Sequence, residues 1–167
     1  MAVRPIVRYP DHSLKLPSAP FSGSPGEAET LIRDLLDTMA DSPATVGLAA
    51  PQIGEGIRAF VMDVSGHRRA TSAQGLVALL DPVLISSEGA ETVREGCLSV
   101  PDLTANVRRA TAIVLEGRTA SGESRRYEME GFEARAALHE LDHLDGFLIL
   151  DRVASGSDIF ARKVYGT

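Results

Sequence analysis

The sequence predicts an α+β fold: mostly antiparallel sheets packed around a late helix, with a further helix near the N-terminus, in a single domain spanning residues 1–167. Three observations carry this reading. Helical periodicity occurs in two separate places, one early and one late in the chain. Between them lie short runs rich in Val, Ile, Leu and Phe, broken by glycine and polar turns. Finally, 167 residues that are 44% hydrophobic can bury one good core but are short for two domains. Helices kept outside a run of strands fit helices laid against mostly antiparallel sheet.

Each element follows from local chemistry. The first 23 residues are broken by Pro5, Pro10 and Pro17 and lack a period, so they are expected to wrap a surface. "SPGE" then reads as a helix start. Ser24 can cap, Pro25 suits the first helical position, and Glu27 completes a capping box ahead of Leu31, Ile32, Leu35, Leu36 and Met39 on one face. This helix should end before Pro43. Strands are expected within Ile57 to Ser65 and within Leu76 to Ser86, and two more between Ala105 and Met129, joined around Ser121 and Gly122. In "FEARAALHELDHL" the period changes. These are good helix formers, with Phe132, Ala136, His139 and His143 at helical spacing and Gly146 placed to end the run.

Composition narrows the function. The net charge of −6 is scattered, with no basic stripe to follow a phosphate backbone, which argues against direct nucleic-acid binding. The N-terminal residues lack the apolar core of a signal peptide and no membrane-length apolar run follows, so a cytoplasmic location away from membranes is expected. The lone cysteine, Cys97, excludes an intrachain disulfide; it is either a small buried filler or a thiolate with a chemical task.

Three stretches carry candidate chemistry. In "LHELDHLDG", His139 and His143 lie one helical turn apart and can converge on one ion, while Glu140 beside the first is placed to reach a metal-bound water as general base. Two histidines on a solvated acidic helix are the plain alternative. A catalytic metal needs a third protein ligand. The tail downstream has no further histidine and offers only Asp145, Asp151 and Asp158, whereas upstream "EGCLSVP" holds Cys97, which would complete a Cys-His-His set. A buried structural thiol is the alternative there. In "TVGLAAPQIG", Gly47, Ala49, Ala50 and Pro51 describe a tight segment, and Gln52 presents an amide that can donate to an oxyanion. Taken alone, this is equally a packed loop entering a core strand.

In this order, "TVGLAAPQ", "EGCLS" and "LHELDHLDG" resemble the three signature motifs of the peptide deformylases, GxGLAAPQ, EGCLS and QHExDHLxG. "RPIVRYPD" and "DGFLILDR" are similar to deformylases too, so the likeness covers most of the chain. The resemblance implies metal-dependent hydrolysis of a linear amide: removal of the N-formyl group from N-formylmethionyl peptides, with release of formate. Cys97, His139 and His143 match the ligands of one divalent ion per chain, with water as fourth ligand. The metal implied is ferrous iron in the cell, with zinc or nickel in other preparations. Glu140 matches the catalytic acid-base, and Gln52 and the Leu98 backbone N–H match the donors to the formyl oxygen. Gly47 matches a loop that holds the substrate extended. The partner implied is an N-formylmethionyl peptide or nascent chain, with transient ribosome contact left open; the tail "SGSDIFARKVYGT" lacks a long basic helix to anchor it.

A methionine side chain needs an apolar pocket. Phe132 and Ala136 share the face of His139 and Val46 flanks the Gly47 loop, which makes them candidates for its lining, although core packing explains the first two equally well. Two positions depart from the pattern. Thr45 replaces the first glycine of its motif and is expected to narrow the groove or change the loop's conformation, and Leu138 replaces the glutamine before His139 and is expected to loosen orientation around that ligand. The alternatives carried are a paralogue acting on another formylated small molecule and a metal-binding regulatory paralogue of low activity.

Overall fold

The computed structural model describes residues 2–162. Helix α1 spans Pro25–Ala40 and opens on the expected capping box: Ser24 N donates to Glu27 Oε2 at 2.6 Å and Glu27 N to Ser24 Oγ at 3.2 Å. Eight strands follow from the patterning between the helices and after them: β1 (Gly47–Ala49), β2 (Ala59–Met62), β3 (Val77–Glu88), β4 (Glu91–Cys97), β5 (Val100–Arg109), β6 (Ala112–Arg118), β7 (Ser124–Glu130) and β8 (Ile159–Ala161). Helix α2, Gly131–Leu144, lies between β7 and β8 in the chain. It ends where Gly146 adopts a φ of 82°, a conformation that suits a residue without Cβ.

Two antiparallel sheets result. One has five strands in the order β1-β2-β3-β6-β7, and the other has three in the order β4-β5-β8. Period-2 alternation on β2 shows how the first sheet is buried on both sides. Phe60 and Met62 join Leu79, Leu115, Ala137 and Leu144 in the core under α2, while Ala59 and Val61 join Leu31, Ile32 and Leu35 of α1. A third apolar cluster, including Leu14, Val100, Val107, Leu148 and Ile149, lies against the smaller sheet and takes in Cys97. The late helix is therefore central, and the motif cysteine sits on an edge strand facing it.

The α+β class, both helices and the β6–β7 hairpin agree with the sequence reading. Several elements do not. Gly47–Ala49, read as a loop entering a core strand, is itself the edge strand β1. The β4–β5 hairpin and β8 were not expected as strands; β4 carries Glu91, Arg94 and Glu95, the charged composition of a sheet edge rather than an apolar run. The N-terminal segment does wrap the body, but it includes a 3₁₀ turn at His12–Lys15 that buries Leu14 completely. It also crosses the base of the later site, where Val7 N donates to Gln52 O and Tyr9 N to Ser99 O, each at 2.8 Å. Among the described residues no helix is long and apolar enough to cross a membrane. The expectation about the tail falls partly on residues 163–167, which lie outside the described residues.

Candidate metal centre

Helix α2 and strand β4 bring the three motifs together. On β4, alternation puts Glu95 and Cys97 on one face, and both are buried. On α2, His139 and His143 stand one turn apart with ring centroids separated by 5.1 Å. The donor atoms of Cys97, His139 and His143 all lie within 4.8 Å of one another, and Cys97 Sγ is 3.3 Å from His143 Nε2. The donor set is therefore assembled by two elements that are far apart in sequence.

Its electrostatics match a cation site. Burial alone would raise the Cys97 thiol, but the charges of His143 and His139 outweigh burial and hold it well below the ordinary thiol range. Burial would lower His139, but hydrogen bonding and charge from Cys97, together with Glu95, raise it well above the ordinary imidazole value. The same directions favour the thiolate of Cys97, the form that binds a metal. One thiolate and two imidazoles are a donor set that suits zinc, iron or nickel.

The orientation of His139 is fixed from behind. Its Nδ1 donates to Glu95 Oε1 at 2.8 Å, which leaves Nε2 to face the other donors. Glu95 in turn accepts from Arg109 Nε at 2.6 Å and Nη2 at 3.0 Å, and from Arg135 Nη1 at 2.5 Å. Arg109 also reaches Asp142 at 2.8 Å, and Arg152 closes the chain on the same carboxylate. Burial pushes the Glu95 carboxyl up, but its hydrogen bonds with His139 and Arg109 outweigh this and hold it below the usual carboxylate range. Sequence reasoning missed this network. The available signal was the two-residue spacing of Glu95 and Cys97 on a strand, which puts them on the same face.

Glu140 is buried beside the donors, and among the described residues its Oε2 has no hydrogen-bond partner. Burial dominates and raises its carboxyl above the ordinary value. Gly47 is packed directly on it: a Cβ built there would lie 2.7 Å from Glu140 Oε1 and 3.1 Å from Cδ and Cγ. Gln52 lies buried beneath the donors. Its Oε1 accepts from Ala49 N at 3.0 Å, so its amino group is the end turned inward, 3.2 Å from Ser99 Oγ and 3.6 Å from Cys97 Sγ.

An open groove of about 410 Å³ leads to these residues, within the size range of small-ligand sites. Val46, Gly47, Leu98, Phe132 and Ala136 line it together with Cys97, His139 and Glu140. His143 and Gln52 sit behind that surface, both about 2% exposed. His67, not anticipated, stacks on Phe132 with centroids 4.2 Å apart and adds to the wall. Thr45 lines the groove. Leu138 does not: it lines a separate groove with Arg58, Val83 and Leu84. The expectation that Leu138 loosens His139 is therefore corrected, since Glu95 on β4 holds that imidazole and Leu138 points to another side of α2.

The family model for polypeptide deformylase matches residues 3–158. The peptide deformylase of Thermodesulfovibrio yellowstonii is 35% identical over 167 residues, covering 100% of this chain and 99% of that protein. A crystal structure of a peptide deformylase from Legionella pneumophila superposes with a TM-score of 0.83 at 35% identity, covering 92% of this chain and 87% of that one. The peptide deformylase structure from Acinetobacter baumannii bound to Met-Ala-Ser gives a TM-score of 0.83 at 30% identity, covering 91% of this chain and 99% of that one. Likeness of this extent, over a fold whose central helix carries "HELDH" against "EGCLS", means that the chain belongs to the peptide deformylase family of enzymes.

Proposed function

We propose that this enzyme hydrolyses the formyl group from N-formylmethionyl peptides and nascent chains in a metal-dependent reaction that releases formate. The observation that carries the reading is the convergence of Cys97, His139 and His143 within 4.8 Å, with Glu140 buried at their side. These three residues would hold one divalent ion; the resemblance makes it ferrous iron in the cell, and the same donors accept zinc or nickel. With two neutral imidazoles and a thiolate as ligands, such an ion would keep a net charge of about +1 and would supply polarisation of a carbonyl and a lowered pKa of water.

The chain's own groups divide the remaining work. An extended peptide fits between two sheet edges, residues 43–47 leading into β1 and residues 94–98 at the end of β4, which face each other across the groove. The methionine side chain is assigned to the wall made by Val46, Phe132 and Ala136. Glu140, kept protonatable by burial, takes the proton from the attacking water and delivers it to the departing amine. Gln52, with its carbonyl end anchored on Ala49, donates through Nε2 to the formyl oxygen as negative charge develops there, and the Leu98 N–H is the second donor. The product peptide leaves with a free N-terminus. The Acinetobacter structure is of a peptide deformylase with Met-Ala-Ser bound.

Gly47 has a specific part in this account. Gly47→Ala is expected to displace the Glu140 carboxylate and lower kcat by about 10²-fold, with metal content unchanged; single-turnover kinetics alongside elemental analysis checks this. The overall reading is tested by measuring formate from formyl-Met-Ala-Ser, acetyl-Met-Ala-Ser and formylated small molecules with anaerobically purified, iron-loaded protein. Formate from the first alone is expected. Turnover of formylated metabolites but not of the peptide would shift the assignment to the other substrate class, for which Thr45 in the groove is the distinguishing feature.

A further inference from the structure

The chain carries a net charge of −6, yet Arg68, Arg69, Arg94 and Arg162 line the groove. Among the described residues none of these four guanidinium groups forms a salt bridge. The acids lining the same groove are Glu95, already paired with Arg109 and Arg135, and the buried Glu140. The mouth of the site is thus locally cationic on an acidic protein.

Two of the arginines are fixed by β8, the strand that follows the metal helix. Arg94, exposed on β4, lies with its guanidinium 3.6 Å from the centroid of Phe160 on β8. Arg162 follows β8 directly, and its backbone N–H donates to Asp102 O at 2.9 Å. Its guanidinium rests on Gly96, where a Cβ would clash with Nη2. Glycine at that position lets a positive charge lie one residue from Cys97. A guanidinium held by stacking keeps its edge N–H groups available, and that planar fork matches a carboxylate.

From this placement we infer that Arg94 and Arg162 form a carboxylate-recognition site beside Cys97, selecting formylmethionyl peptides that carry an acidic side chain or a free C-terminal carboxylate within two residues after the methionine. The seat of the formylmethionine rests on the hydrolytic reading above. The anion site rests on the arginines themselves. An extended peptide advances about 3.3 Å per residue, so a chain reacting at Cys97 passes Gly96 and its covering guanidinium within its next two residues. RNA is disfavoured as the occupant because the four arginines lie in one groove and not along a surface stripe.

The test compares kcat/KM of the iron-loaded full chain on formyl-Met-Asp-amide, formyl-Met-Asn-amide, and formyl-Met-Ala with a free or an amidated C-terminus. The aspartate peptide is expected to exceed its asparagine isostere by about tenfold, mainly through KM, with the gap closing as salt rises. The two formyl-Met-Ala forms show whether a terminal carboxylate is accepted as well. R94Q/R162Q should bring the ratios to about one, and R94K/R162K should restore part of them, which mere damage to β8 would not do. Calorimetric titration with the deformylated products Met-Asp-amide and Met-Asn-amide reads the same preference without turnover. Tighter binding of the aspartate product, lost in R94Q/R162Q, upholds the inference even if no formyl peptide is cleaved, and the hydrolytic reading alone then fails. Equal cleavage and equal binding of both peptides overturns the inference and leaves the hydrolytic reading standing. Arginine-dependent binding of a short RNA hairpin without peptide discrimination also overturns it.

Discussion

Glu140→Ala is expected to lower formate release from formyl-Met-Ala-Ser by about 10²- to 10⁴-fold while the protein still binds one metal ion per chain. The carboxylate stands beside His139 and His143 but outside the donor set, so its loss removes the proton carrier and leaves the ligands in place. Among the described residues its Oε2 has no hydrogen-bond partner, so little of the fold depends on it. Removing a carboxyl whose charged form burial penalises relieves that desolvation penalty, and thermal stability should not fall in step with activity. Parallel measurements of formate, metal content and Tm check the separation. A variant that loses metal and activity together would make Glu140 a ligand or a structural residue.

The second large effect lies behind the metal centre. Glu95→Gln is expected to destabilise the protein by about 3–5 kcal/mol, because Arg109 and Arg135 are buried and lose their shared countercharge. It should also weaken metal affinity by about 10- to 100-fold, since His139 loses the acceptor that orients it. The pH dependence separates this from a generic packing defect. Because the folded-state carboxyl is held below its unfolded value, its stabilising contribution is full above about pH 4.5 and is lost as pH falls toward the depressed folded value. Denaturant titrations should therefore show the widest gap between wild type and Glu95→Gln near neutrality, narrowing below about pH 4. A gap that is constant with pH would mean that the carboxylate charge is not what holds the arginines.

What could be read from sequence was what is local. The Ser24–Glu27 box announces α1 within four residues, and the His139/His143 spacing declares a shared helical face before any fold is known. The placement of Phe132 and Ala136 on the groove side of α2 follows from the same period. What escaped was set by pairings across long separations. Glu95 finds Arg109, Arg135 and His139 at sequence distances of 14, 40 and 44 residues, and the two-residue spacing in "REGCL" puts its glutamate on the cysteine's face only once that segment is known to be a strand. Strand β4 was hidden because an edge strand exposes polar residues on one side, and β8 because three residues, Ile159–Ala161, are too few to show a period. Leu138 shows the reverse error. Adjacency in sequence to a ligand is not adjacency in space, because successive helical residues point about 100° apart, and this one turns toward Arg58 and Val83.

The most direct measurement is formate release followed while metal-free protein is titrated with ferrous ion under argon. Activity is predicted to rise linearly to one equivalent per chain and then stay flat, with Cys97→Ser and His143→Ala failing to reach the plateau at any stoichiometric addition. Formate release by the metal-free protein, or an undiminished plateau in either ligand variant, would contradict the assignment of Cys97, His139 and His143 as the centre of the reaction.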